Sequence, residues 1–218
     1  MILSHYSHVI FDLDGVLLDT EKLYTEATQR VVGQYGKTFE WSLKSLMMGR
    51  HELEAAELLV QTLGIPITAH EYLRRQLPIA EGLFPSAVEL PGAEAFVTEL
   101  LARGHVLAVG TSSTRRLYEL KTSHLPWFEG FSAVVSGDHP EVRELKPAPD
   151  IFLAAARAVA ADPAHCLVIE DSPAGVLAAR AAGMSVVAIP DPALPEDRFA
   201  QAQLIVRSYA ELRARLKC

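Results

Sequence analysis

Cysteine is scarce in this chain: 218 residues carry two, Cys166 inside an apolar run and Cys218 as the last residue. That spacing suggests no disulfide framework. Lysine and arginine form no cluster, and the formal net charge is -7, which argues against a nucleic-acid partner or an anionic membrane surface. Long hydrophobic runs are missing too, none approaching the roughly 18–20 residues that span a bilayer. No basic segment, apolar core or cleavage site precedes the first strand, which begins within eight residues. Internal repeats and low-complexity segments are absent. With 50% hydrophobic and 22% charged residues, the expectation is a soluble globular protein in a reducing cytoplasm. Oligomeric state is not legible, because no exposed apolar stripe or heptad stands out.

What is present is a pattern that changes twice. Val9–Leu13 reads as a strand. From Thr20 the spacing turns helical, with Leu23, Ala27, Val31 and Tyr35 on one face and Gly36 as a stop. After Trp41–Met48 and the Gly49-Arg50 loop come helices over Glu52–Leu63 and about Ala69–Leu83. From Pro91 onward strands and helices alternate, with strands at His105–Gly110, Ser132–Ser136, Cys166–Glu170, Ser185–Ile189 and Gln203–Val206. Between them lie helices at Ala93–Arg103, Arg115–Ser123, Ile151–Ala160 and Pro173–Ala182, and Tyr209–Leu216 closes the chain. Such alternation predicts an α/β fold, a Rossmann-like parallel sheet covered on both faces. The helical block between is then an inserted cap. The expected division is a core of residues 1–18 and 89–218 and a cap of residues 19–88, with hinges near Leu17–Thr20 and Ser86–Pro91.

Polar residues gather at the strand ends. Asp12 and Asp14 close the first strand, Thr111 follows the second, and Glu170-Asp171 end the fourth. Lys146 follows the third strand and its loop. In an open parallel sheet these positions converge on one crevice. Residues i and i+2 of a strand share a side, so Asp12 and Asp14 are expected to face one site. With Asp171 they would form an oxygen-rich cluster suited to Mg²⁺. Three carboxylates repel a phosphate dianion, and a divalent cation with Lys146 would reverse that field. Thr111 offers a hydroxyl, and the turn Ser112-Ser113, placed at a helix start, offers backbone N–H donors. A carboxylate can attack phosphorus to form an acyl phosphate, while a second acid handles protons. Of the adjacent acids Glu170 and Asp171, one is expected to face away from any single point, and Asp171 is the favoured ligand.

The segments DLDGVLLDT, VGTSS, LKPAPDIF and VIEDSPAGVLAARAAG, in this order, resemble the haloacid-dehalogenase superfamily of aspartyl-phosphate phosphatases. The resemblance implies Asp12 as nucleophile and metal ligand. It implies Asp14 as general acid/base with its backbone carbonyl on Mg²⁺, and Thr111 and Lys146 on the phosphoryl group. Asp171 would bind the metal directly, with Glu170 nearby or acting through water. DTEKLY, MGRHELEAAELL, FPSAVELPGAEAF and GDHPEV followed by KPAPDIFLAAA are similar to pseudouridine-5′-phosphatase-like proteins within that superfamily. Leu145 departs from them, standing where relatives often have glycine. On this likeness the partner is a small phosphorylated metabolite, a nucleotide or sugar monophosphate. Gly49 and Arg50 would be the cap's substrate contacts, Arg50 through its planar fork of donors. Tyr24 stands where the β-phosphoglucomutase branch typically has histidine, which weakens the reading as a sugar-phosphate mutase. A non-catalytic binding module is the third reading, against which the intact motif set argues.

Overall fold

In the computed structural model, residues 3–48, 50 and 52–216 are described. The chain divides into two compact units, Thr20–Ala87 and Met1–Asp19 with Val88–Cys218. The helical unit contains α1 (Glu21–Gly33), α2 (Trp41–Met47), α3 (Glu52–Leu63) and α4 (Ala69–Leu83). Each begins or ends for a local reason. Helix α1 stops at Gly33, earlier than the expected Gly36, because the N–H groups of Gln34, Tyr35 and Gly36 bond back only three residues. Gly36, with φ of 67°, then carries the chain out, and Lys37 N–H closes on Val32 C=O. Helix α4 is capped by Thr68, whose hydroxyl accepts from Glu71 N–H at 3.1 Å. The apolar faces of these helices meet around Val31, Val32, Leu43, Ala56, Leu59, Ile65 and Tyr72, all buried. Inside that core Thr28 Oγ1 and the Tyr72 hydroxyl satisfy each other at 2.8 Å.

The other unit is built on a parallel sheet: β1 (His8–Phe11), β2 (Val106–Gly110), β3 (Ala133–Val135), β4 (Cys166–Glu170), β5 (Ser185–Ala188) and β6 (Leu204–Ile205). Their order is β3-β2-β1-β4-β5-β6 among the described residues. Helices α5 (Ala93–Ala102), α6 (Arg115–Thr122), α7 (Asp150–Ala158), α8 (Pro173–Ala181) and α9 (Tyr209–Arg215) connect and close it. The central strands are short uninterrupted apolar runs because both faces are covered: Val9, Ile10, Phe11, Leu167, Val168 and Ile169 are all 0% exposed. The chain lays strands outward on one side of β1 and then returns to lay β4 on the other. This reversal between β1 and β4 is the switch point at which open α/β sheets form a crevice. Nearby, the outgoing and returning chain segments pair, Asp19 N–H donating to Val88 C=O at 2.9 Å.

β1 ends two residues before its expected limit. Leu13 C=O accepts from both Leu17 and Leu18 N–H, so the chain curls into a turn directly after Asp12. Strand alternation therefore does not govern Asp14.

Candidate active site

The sheet register assembles the site. Phe11 pairs with Val109 on one side and Ile169 on the other, so the next residues, Asp12, Gly110 and Glu170, stand in one row. Asp12 N–H keeps that row by donating to Ile169 C=O at 3.0 Å. One carboxylate oxygen from each of Asp12, Glu170 and Asp171 lies within 4.8 Å of the others. Lys146 closes the group, its ammonium hydrogen-bonding Asp12 and reaching Glu170 Oε1 at 2.7 Å. The same ammonium lies 4.6 Å from the centre of the Phe152 ring.

Glu170 does not face away, contrary to expectation. The strand stops at Glu170, so Asp171 is no longer bound to the opposite face, and both acids turn to one point. The longer side chain folds back to do so. Glu170 Oε2 accepts from Asp171 N–H at 2.8 Å, Ser172 N–H at 2.7 Å and Ser172 Oγ at 2.9 Å. Ser172 also caps α8, accepting from Gly175 N–H.

Burial dominates the proton affinity of Asp12. Together with the nearby charges of Glu170 and Asp14 it outweighs Lys146 and pushes the carboxyl up to about 7. Burial works against the Lys146 cation, but Asp12 and Glu170 more than offset it and hold the ammonium above the usual lysine range. Lys146 is therefore a fixed positive charge at neutral pH. Beneath the site, burial, Asp12 and Asp171 keep the Tyr209 phenol protonated, and it donates to Val16 C=O at 3.1 Å.

The Asp14 side chain is absent from the carboxylate group predicted for it. Both its oxygens contact Lys121 Nζ, at 2.7 and 2.9 Å, and its Oδ2 accepts from Ser113 Oγ at 2.9 Å. Sequence reasoning missed Lys121. The available signal was its position on α6, where Tyr118, Lys121 and Thr122 form the buried face. The turn Ser112-Ser113 also departs from expectation. Helix α6 begins at Arg115 as expected, but its cap is Thr114, which accepts from Leu117 N–H, so the pair lies before the cap rather than in the first helical turn. Ser113 N–H donates to Thr111 Oγ1 at 3.1 Å. Thr111 thus forms a local turn and does not cap the helix; its own N–H bonds Val135 C=O.

Two glycines keep the acid group open. A Cβ on Gly15, whose φ is 77°, would lie 2.1 Å from Asp171 Oδ2, and one on Gly175 would lie 1.7 Å from Glu170 Oε1. Each vacancy is filled by a carboxylate.

In the helical unit, Gly49 lies outside the described residues. Arg50 Nε donates to Leu46 C=O at 2.7 Å. It lines a cavity of ≈ 300 Å³ with Tyr24, Lys44, Glu52, Tyr72 and Gln76. The Tyr24 ring also packs edge-on against Phe84, 5.4 Å between centres.

The family model for haloacid dehalogenase-like hydrolases matches residues 9–189. The chain belongs to this family. "(DL)-glycerol-3-phosphatase 2" of Arabidopsis thaliana is 42% identical over 213 residues, 95% of this chain and 89% of that protein. "Probable pseudouridine-5'-phosphatase" of Drosophila melanogaster is 41% identical over 216 residues, 97% and 94% of the two chains. The crystal structure of a "putative beta-phosphoglucomutase" from Thermotoga maritima superposes with a TM-score of 0.78 at 30% identity, covering 96% of this chain and all of that one. In this haloacid dehalogenase-like hydrolase the Asp12, Glu170 and Asp171 oxygens could hold a metal ion. Carboxylate oxygens are hard donors, and the space left by the missing Gly15 Cβ keeps one of them in the group. Among the described residues no helix is long and apolar enough to cross a membrane.

Proposed function

We propose that this protein hydrolyses a small phosphomonoester, a sugar, polyol or nucleotide monophosphate, through an aspartyl-phosphate on Asp12. The observation that carries the reading is the row of Asp12, Lys146, Glu170 and Asp171, one nucleophile with its cation and two further acids at a sheet switch point. Asp12 attacks phosphorus as the ester P–O bond breaks, and the bond's electron pair leaves on the alkoxide oxygen. Asp14 gives that oxygen a proton. Water then attacks the phosphorus, Asp14 takes its proton, and the electron pair of the Asp12–phosphorus linkage returns to the carboxylate. Lys146 neutralises phosphoryl charge throughout, and the Thr111 hydroxyl and Ser112 N–H supply donors to its oxygens, while the Ser113 N–H and hydroxyl are engaged by Thr111 and Asp14. Mg²⁺, held by Asp12, Asp171, the Asp14 carbonyl and Glu170 directly or through water, would supply electrostatic stabilisation of the phosphoryl oxygens. Selection among leaving groups is assigned to the helical unit, residues 19–88 as a cap, through Gly49, Arg50 and the cavity that Arg50 lines.

The phosphatase names of these Arabidopsis thaliana and Drosophila melanogaster relatives, each above 40% identical, favour hydrolysis over phosphate migration within a sugar. A phosphate-release screen over glycerol, sugar and nucleotide monophosphates, pseudouridine 5′-phosphate included, tests the reading. Prompt phosphate release without a sugar bisphosphate activator is expected, abolished by chelator and restored by Mg²⁺. Silence across the panel overturns it, and turnover only with a bisphosphate activator makes the protein a mutase.

A further inference from the structure

Behind Asp14 stands a lysine with no exposed side-chain surface. Lys121 is carried on α6, and its side chain is 0% exposed, whereas the Asp14 side chain it meets is 28% exposed. A buried ammonium is costly unless paired, and a flexible four-carbon stem loses rotamer freedom when fixed. Three contacts converge in return. The ammonium bonds both oxygens of Asp14, it reaches Ser113 Oγ at 3.0 Å, and Ser113 Oγ donates to Asp14 Oδ2. Two anchors on one carboxylate fix its rotation as well as its place. The backbone there offers no strand ladder to do so, since Asp14 lies in the turn beyond β1 and is followed by left-handed Gly15. The same anchors explain why the Asp14 side chain stays out of the Asp12, Glu170 and Asp171 group.

We infer that Lys121 is a positioning residue for proton transfer, holding the Asp14 carboxylate in the orientation that serves the leaving oxygen and away from the metal-binding acids. This rests on the phosphatase reading above. Its test uses two esters whose leaving groups differ in their need for a proton: a glycerol monophosphate, which departs as a basic alkoxide, and nitrophenyl phosphate, which departs as a weakly basic phenolate. Because kcat/KM reports the steps through leaving-group departure, Lys121→Met should lower it by roughly 100-fold or more for the glycerol ester. The loss for nitrophenyl phosphate should be at least tenfold smaller, with the fall carried by kcat and KM shifting about threefold at most. In an Asp14→Asn background the same change should move kcat/KM by less than about threefold, because Lys121 acts through Asp14.

Equal losses on both esters, or a further tenfold loss in the Asp14→Asn background, overturn the inference while leaving the phosphatase reading intact. The best-turned-over alkyl ester of the panel replaces the glycerol ester if the wild-type protein does not take it, and silence across the whole panel overturns the reading and the inference with it. Lys121→Gln keeps a polar end in the buried slot and carries the same expectations if Lys121→Met does not fold. Failure of both to fold assigns Lys121 to the fold alone and overturns the inference.

Discussion

At Gly175 a single added methyl group decides where a carboxylate can sit. The Cβ of Gly175→Ala would overlap Glu170 Oε1 at 1.7 Å, so Glu170 must leave its bonds to Asp171, Ser172 and Lys146. Mutations of groups that orient metal ligands commonly cost 10–100-fold in affinity. Gly175→Ala should therefore raise the Mg²⁺ concentration for half-maximal phosphate release by about tenfold or more, read by titration; an unchanged midpoint counts against Glu170 in the metal site. Cys166 tests burial directly. Its thiol is pushed up to about 11 by burial and, less, by Asp162, so the thiolate is scarce at neutral pH. In a Cys218→Ser chain a thiol reagent at about pH 8 should react negligibly in buffer and fully in denaturant. Single residues are also where the sequence was hardest to read. Asp12 announces itself by following an apolar run, and Lys146 by directly preceding Pro147-Ala148-Pro149. Lys121 hides because a lysine is ordinarily solvent-facing, although its spacing from Tyr118 puts it on the buried face of α6, and the direction of Glu170 depends on where β4 stops.

The elements were the most legible level. Apolar runs such as CLVIE and HVLAVG, punctuated by glycine, have few alternatives to buried parallel strands. Most helices end within two residues of expectation because caps and glycines stop them. The exceptions have local causes: α1 tightens and stops at Gly33 before the expected Gly36, and strand β1 yields to the turn that Leu13 accepts. Capping also makes a prediction for the helical unit. Thr68→Ala removes the acceptor for Glu71 N–H at the start of α4, which should cost about 1 kcal/mol in urea unfolding. A change indistinguishable from zero would mean that water or the remaining backbone replaces the cap.

For the whole molecule, the parallel sheet, its strand order and the acids at its switch point follow from one alternation pattern, which is why the family was readable from four segments. Whole-molecule stability has its own pH signature. Cys166 and Tyr209 in the sheet unit and Tyr72 in the helical unit all hold their protons more tightly when folded. Tyr72 is pushed up to about 12 by burial, which outweighs the Thr28 hydrogen bond; Tyr209 is raised by burial, Asp12 and Asp171. The unfolded chain therefore releases protons first. Their stabilisation is complete below the ordinary values of 9.0 for cysteine and 10.0 for tyrosine and is lost as pH climbs toward the folded values. Urea midpoints should fall between about pH 8 and about pH 10.5, and a flat profile would deny the burial assigned to these groups. The central claim is that Asp12 carries the phosphoryl group. Borohydride reduces an aspartyl phosphate to homoserine, so protein quenched during turnover and reduced can be mapped by peptide mass. Homoserine at position 12, and none at positions 14 or 171, is the outcome expected from that claim. Phosphate release without reduction at Asp12, or with reduction at another acid, would contradict it.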